Sequence, residues 1–294
     1  MDHKAFLSTL TAEQKAALIE TSDTAGLRHL GFYAVLIAAA GGLIAVQMPY
    51  WPLLLPIQGA LIIFLFTLEH ECTHRTPFRT QGLSDWVGRI CGLLIFLPFE
   101  WFRYFHLAHH RFTNIAGRDP ELATAKPATR PAWVWHVIGL GVWWGNAKLL
   151  LRLVAGRERA EYLPPNAIPR MEREARVMLA LYLLAALSLF WTPLLLWIWI
   201  VPALIGQPLL RIYLLAEHGD CPQVANMFEN TRTTFTTAVV RFVTWNMPYH
   251  VEHHVFPSVP FHHLPELHAL IRQELKVTAT GYGTFTRAYL ARRR

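Results

Sequence analysis

Two long stretches of the chain, residues 29–68 and 177–210, contain no Asp, Glu, Lys or Arg. Each exceeds the roughly 20 apolar residues that one transmembrane helix needs. Each also has a breaker near its middle, Pro49 and Pro52 in "MPYWP" and Pro193 in "FWTP", and proline does not continue a helix easily. The pattern predicts two helical hairpins, four spans in all, with short outer turns. A straight helix over 177–210 would measure about 50 Å against a hydrocarbon core of about 30 Å, so that stretch must turn.

Two more apolar stretches, residues 86–102 and 132–151, lie between the hairpins. The first carries Arg89 and Glu100, and the second holds four Trp, three Gly and His136. Both read as helices lying in, or dipping into, the membrane interface, where Trp is enriched. Near the start, "LTAEQKAALIE" reads as a short helix with Thr11 as its N-cap and Gln14 closing a capping box. "YLPPNAIPR" at 162–170 reads as a proline-stiffened loop. The expected plan is a single all-α membrane domain over residues 1–294. It comprises an N-terminal cytoplasmic helix (1–28), a first hairpin (29–70), a cytoplasmic or interfacial segment (71–176), a second hairpin (177–215) and a cytoplasmic helical cap (216–294).

Composition supports the membrane reading: 53% of residues are hydrophobic, only 16% are charged, and there are 11 Trp and 17 Phe. The net charge of +7 would suggest nucleic acid in a soluble chain. Here all 27 Lys and Arg fall outside the two uncharged stretches. The positive-inside rule then places them, with both termini, in the cytoplasm. The expected location is a bacterial inner membrane, with no nucleic-acid partner. Residues 1–28 lack an apolar core before a small-residue cleavage site, so no cleavable signal is expected. Cys72, Cys91 and Cys221 form no C-x-x-C pair, and no disulfide framework is expected.

The 15 histidines are clustered. His70 and His74 end the second predicted span. "HLAHH" supplies His106, His109 and His110, and "HVEHH" supplies His250, His253 and His254. Spacings of three and four place side chains on one helix face, so each group can aim two or three imidazoles in one direction. His218, in "EHGD" after the fourth span, is a ninth candidate at the same depth. Imidazole suits Zn, Cu, Fe and Ni. Since one zinc takes three or four protein ligands, eight or more ligands imply two metals. His3, His29 and His136 stand alone, and His262, His263 and His268 are set among prolines, so these six are not expected to be ligands. Carboxylates often orient such imidazoles, and Glu69, Glu71, Asp119, Glu217 and Glu252 are the nearest in sequence.

His70-Glu71-Cys72-Thr73-His74 also fits H-E-x-x-H, the zinc-peptidase pattern in which the Glu acts as base. An intramembrane zinc protease would need a third ligand, usually an acidic residue in a later span, and the second hairpin has none. It would also leave six clustered histidines without a role. A metal transporter would want His and acids near the membrane midplane, where both hairpins are uncharged.

The order H-x-x-x-H, H-x-x-H-H, a lone E-H, then H-x-x-H-H resembles the membrane fatty acid desaturase and hydroxylase superfamily. "WNMPYHVEHHVFPSVPFHHLPEL" is similar to the third box of acyl-lipid desaturases, "EHGD" to a segment of alkane hydroxylases, and "HHRFTNIAGRDPEL" to the usual continuation of box two. The resemblance implies two iron ions held by His70, His74, His106, His109, His110, His218, His250, His253 and His254. It implies O2 as co-substrate and desaturation of a fatty acyl chain or lipid, with hydroxylation or ketone formation on a lipid or hydrocarbon as the alternative. His250 stands where front-end desaturases have Gln. The heme motif "HPGG" of cytochrome b5 fusions is missing, so the expected electron donor is a separate protein such as ferredoxin, rubredoxin or cytochrome b5. A site built from all boxes needs them on one side of the membrane. If residues 86–102 alone crossed, His74 and His106 would face opposite compartments. That parity argument also favours four spans.

Overall fold

The computed structural model describes residues 2–294, and the chain is helical almost throughout. Two short helices, α1 (His3–Thr9) and α2 (Ala12–Leu18), open it, and Thr11 caps α2 through the expected capping box with Gln14. Helix α3 (Asp23–Ala45) starts at Ser22, whose hydroxyl accepts from the Ala25 amide. The proline-rich break follows, with Gln47 and Tyr50 in the left-handed region, and then α4 (Leu55–Ile63) and α5 (Leu65–His74) run almost continuously. Arg75 ends α5 in the left-handed conformation, so His70 and His74 occupy its last turns.

Helices α6 (Gln81–Ile95) and α7 (Phe99–Phe112) are bent against each other by 100°, and α8 (Arg130–Ile138) and α9 (Leu140–Val154) by 53°. Gly139, at φ 77°, makes the second bend, and a Cβ there would fall 2.4 Å from Cγ of Gln207. The first bend turns on Phe96, also left-handed at φ 64°. Helix α10 (Ile168–Ser188) begins nine residues before the uncharged stretch, with Arg170, Glu172, Arg173, Glu174 and Arg176 in its first half. The turn at Pro193 leads through a π-helical turn (Leu196–Ile200) into α11 (Val201–His218).

Three helical stretches are long and apolar enough to cross a membrane: Ala12–Ala45, Trp51–His74 and Leu196–His218. Counting each bent pair as one crossing raises the number to five. The charged first half keeps α10, the remaining member of the expected second hairpin, out of that set. Large apolar side chains face outward, including Phe32 (63% exposed), Val35 (64%), Leu183 (62%) and Phe190 (84%). An apolar exterior of this kind suits lipid and is rare on a soluble monomer.

Helices α4 and α11 make the closest packing. A Cβ on Gly59 would lie 2.3 Å from the Pro202 carbonyl oxygen, and one on Gly206 would lie 2.2 Å from that of Gly59. Only glycine allows this approach, the small-residue contact common between membrane helices. Helix α4 leads into α5, which carries His70 and His74, and α11 ends at His218.

The rest forms a cap of short helices: α12 (Met227–Asn230), α13 (Ala238–Val243), α14 (His250–Val255), α15 (Leu264–Ile271) and α16 (Tyr282–Ala291). Trp245, Phe228, Leu264, Leu267 and Ile271 bury completely and bind the cap to the helices below. One small parallel sheet, β1 (Thr233–Thr234) with β2 (Thr278–Ala279), departs from the all-α expectation. It carries the chain back beneath α14. Tyr289 donates to the Pro127 carbonyl at 2.8 Å, and Arg292 and Arg293 pair with Asp220, closing the C-terminus onto the cap. The three cysteines are free.

Candidate metal centre

Four helix ends meet in one place: α5, α7, α11 and α14. All nine histidines expected as ligands converge there, and seven of them are no more than 5% exposed. They fall into two adjoining groups. In the first, His70, His74, His106, His110 and His253 have one ring nitrogen each within 4.8 Å of all the others, and in the second the same holds for His109, His218 and His254. His250 joins the second group, with its Nε2 3.1 Å from the Nε2 atoms of both His218 and His254. The rings of His110 and His254 stack at 4.1 Å between the groups.

The nitrogens face each other at short range. Nε2 to Nε2 is 3.0 Å for His74 and His106, 3.1 Å for His110 and His253, and 3.2 Å for His109 and His218. Hydrogen bonding between neutral rings cannot account for the second group. Nδ1 of His109 lies 2.9 Å from an Asp119 oxygen and must donate to it. Nδ1 of His218 lies 3.1 Å from the Asn230 carbonyl and must donate too. The Thr113 hydroxyl donates to the His109 carbonyl and so accepts from Nδ1 of His254 at 3.1 Å. A neutral imidazole carries one N–H, so the Nε2 atoms of these three rings are bare lone pairs aimed at a common point. A cation at that point removes the repulsion. Two nitrogens bound at about 2.1 Å to one ion lie roughly 3.0–3.4 Å apart at octahedral or tetrahedral angles, and the observed spacings fall in that range. In the first group both ring nitrogens of His70 are buried with no hydrogen-bond partner among the described residues. The donor set therefore fits two metal ions.

The outer contacts are uneven. Burial holds His250, His253 and His254 well below the ordinary imidazole range, and the neighbouring rings push the same way, so these rings stay neutral as ligation requires. Burial alone would raise the Asp119 carboxyl, but His109 together with the Asn114 and Glu121 amides outweighs it and holds the group below its usual value. Glu121 adds a second carboxylate 3.6 Å from Nδ1 of His109. Glu217 lies 3.4 Å from Nδ1 of His250. Lys126 donates to the His218 carbonyl at 2.7 Å and fixes the end of α11.

Of the five carboxylates expected to orient ligands, Asp119 does so directly and Glu217 is close by. Glu71 accepts from Thr76 and from the Phe261 amide, each at 3.0 Å, and backs His253 at 3.8 Å. It thus stands behind a ring and not beside a free metal position, which does not suit the base of a protease. Glu69 is fully buried and makes no hydrogen bond. Glu252 reaches none of the nine rings. On α14 it points away from the face shared by His250, His253 and His254, toward Thr233 at 2.5 Å and His268. Thr113, Asn230, Glu121 and Lys126 went unmarked in the sequence. Only Thr113, one turn beyond His109, had a spacing that could have suggested its role.

A cavity of about 840 Å³ opens beside the rings and is lined by His70, His106, His109 and His250. That volume lies in the range of small-molecule sites. One end is apolar, with Ile63, Phe66, Ile95 and Leu97, and another part is bounded by α8 and by Arg211 of α11.

A fatty acid desaturase family model matches residues 47–286, which include all nine histidines. Over 213 residues the chain is 30% identical to a sphingolipid delta(4)-desaturase/C4-monooxygenase of Rattus norvegicus, covering 70% of this chain and 61% of that protein. It is 34% identical over 104 residues to an sn-1 oleoyl-lipid 12-desaturase of Picosynechococcus sp., covering 32% of this chain and 30% of that one. It is 23% identical over 186 residues to an sn-1 acyl-lipid omega-3 desaturase (ferredoxin) of Synechocystis sp., covering 60% and 52%. The chain thus spans about three fifths of the length of the first of these relatives and less of the others.

Proposed function

Since the chain belongs to the fatty acid desaturase family, we propose that it is an O2-dependent di-iron enzyme that introduces a double bond into a fatty acyl chain or lipid. The observation that carries this reading is the pair of buried Nε2 atoms of His109 and His218, 3.2 Å apart, with Nδ1 of each ring committed to Asp119 and to the Asn230 carbonyl. His70, His74, His106, His110 and His253 would hold one iron, and His109, His218, His250 and His254 the other. Two bound irons would supply the oxidising power that no side chain has. In the overall reaction O2 is reduced to two waters by two electrons from a donor, two protons from solvent and two hydrogens from adjacent substrate carbons.

The protein's own part is to hold nine neutral imidazoles in place, to keep bulk water out and to present a C–H bond. The buried rings and their acceptors serve the first task. The apolar end of the cavity would bind the chain and leave one of its carbons beside His70 and His106. The chemistry is placed at the cytoplasmic side of a bacterial inner membrane, with four spans formed by residues 29–70 and 177–215. The bent pairs α6–α7 and α8–α9 would dip and return, and residues 216–294 would form the cytoplasmic cap. A separate electron donor would dock on the basic face. The ferredoxin named for the Synechocystis relative makes an acidic iron–sulfur protein the first choice.

Hydroxylation or ketone formation is the second reading. It is favoured by the C4-monooxygenase in the name of the Rattus norvegicus relative, because the same centre can leave an oxygen on the carbon it attacks. Expression in a host of known lipid content, followed by mass spectrometry of the extracted lipids, tests both readings. A loss of two mass units supports desaturation, a gain of sixteen supports hydroxylation, and an unchanged profile with donor present contradicts both.

A further inference from the structure

Arg211 is a cation in the wall of the cavity with no carboxylate in contact among the described residues. It lies on α11 seven residues before His218, about 10 Å along the helix axis. Its Nε is buried and has no hydrogen-bond partner, and it forms no ion pair among the described residues. Its one side-chain contact is a long one, 3.4 Å from Nη2 to Nε2 of His136. That ring nitrogen also lies 3.4 Å from the Arg211 carbonyl, so it is shared, and the buried Nε is left without an acceptor. Glu121 and Glu217 line the same cavity and face Arg211 at longer range. Their charge offsets part of the cost but supplies none of the missing acceptors.

One turn earlier on the same helix face, Gln207 is buried, lines the same cavity and has no side-chain hydrogen bond among the described residues. A buried guanidinium is expensive unless paired and hydrogen-bonded. Arg211 can donate from several N–H groups and accept nothing. What completes it must bring oxygen acceptors, preferably charged and preferably two in a plane.

We propose that Arg211, helped by Gln207, binds an oxyanion on the substrate, a carboxylate or a phosphate, and so measures where along the chain oxidation falls. This rests on the reading of the cavity as the substrate site. The apolar lining at Ile63, Phe66, Ile95 and Leu97 takes the hydrocarbon, and the rings of His70 and His106 border the same cavity. The anion at Arg211 is then held within about ten ångströms of the centre. The substrate class this selects is an amphiphile with an anionic group near the carbon attacked, not a neutral ester or hydrocarbon.

Binding of three probes to the purified, iron-loaded full chain in detergent tests the proposal: palmitate, hexadecyl phosphate and methyl palmitate, followed by titration calorimetry. The expected result is that at least one anion binds roughly tenfold or more tighter than the ester, the range for charge-assisted hydrogen bonds. Which anion wins identifies the source of the oxygens. Arg211→Gln should reduce that anion to the level of the ester and leave ester binding unchanged, while Arg211→Lys should retain part of the preference. Iron content checks that the variants are intact. Equal binding of ester and anions by the unaltered chain overturns the proposal without any variant, as does a preference that survives Arg211→Gln. Lipid profiling in the expression host is independent of these measurements. A new product alongside indifferent binding would leave the desaturase reading standing and remove only the anion site.

Discussion

The Nε2 atoms of His109 and His218 lie 3.2 Å apart while Nδ1 of each ring is already committed, to Asp119 and to the Asn230 carbonyl respectively. Two neutral rings so held present lone pair to lone pair, an arrangement that fits a cation between them. The residues behind the rings are thus as informative as the rings themselves, and they can be tested one against another.

Glu252 lies inside a histidine box and Asp119 nine residues past one, yet of the two only Asp119 touches a ring of the nine. Asp119→Ala removes the acceptor that fixes His109, and it should weaken iron retention roughly 10- to 100-fold. Glu252→Gln alters a carboxylate facing His268 and Thr233, and its effect on retention should be several-fold smaller. Iron content by elemental analysis after a graded chelator challenge compares them. Equal losses would show that proximity in sequence, and not the contact seen here, decides which carboxylates matter.

The two groups of rings should lose metal separately. His218→Ala strips the second group, and the chain should retain about one iron, held by His70, His74, His106, His110 and His253. His74→Ala should spare the second group in the same way. His3→Ala and His263→Ala, which alter rings outside both groups, should leave iron content unchanged. Turnover should vanish in both ligand variants. Loss of both ions from every single ligand variant would mean that the nine rings form one indivisible site.

Helix α4 runs on into α5 with His70 and His74, and α11 ends at His218, so a change in the α4–α11 packing, far from the rings, should disturb them. Gly206→Ala places a methyl group 2.2 Å from the Gly59 carbonyl oxygen, and backbone cannot give way as a side chain can. The expected cost is about 1–3 kcal/mol, read as a lower thermal midpoint in detergent with reduced iron content. Gly82→Ala, where nothing lies within 4 Å of the added carbon, is the control. An unchanged midpoint for Gly206→Ala would show that the two helices can separate without harm.

Topology is open to labelling in a Cys221→Ala background, since Cys72 and Cys91 are buried. Cysteines at Tyr50 and Thr192, in the two exposed turns, should react with an impermeant maleimide in intact cells. One at Gly117, just past the second histidine box, should react only after lysis. Labelling of Gly117 from outside would divide the boxes between compartments and contradict the four-span arrangement.

The convergence of the nine histidines was legible because their chemistry ties residue type to spacing. Imidazoles one turn apart at the ends of apolar stretches have few other uses, and all nine meet. The Thr11 cap and the hairpin breaks at Pro49 and Pro193 were legible for similar local reasons. What failed to show has no local signature. Asn230 orients His218 through a backbone carbonyl, which any residue could offer. Glu252 is two residues from two of the nine rings, and only the helical phase of α14 turns it away. The first bend falls on Phe96, a left-handed residue that is not glycine, and so nothing marked it. Arg211 was the first charge after an uncharged run, and its isolation appears only once α8 and α11 enclose it.

The most direct test of the central claim is the metal content of the chain purified without added metal under anaerobic conditions, measured by elemental analysis together with Mössbauer spectroscopy of iron-57-grown cells. Two irons per chain in histidine-rich environments, reoxidised when O2 and lipid are supplied together, is the result expected from nine imidazoles in groups of five and four. A single zinc with no iron would contradict it and return His70-Glu71-Cys72-Thr73-His74 to the protease reading.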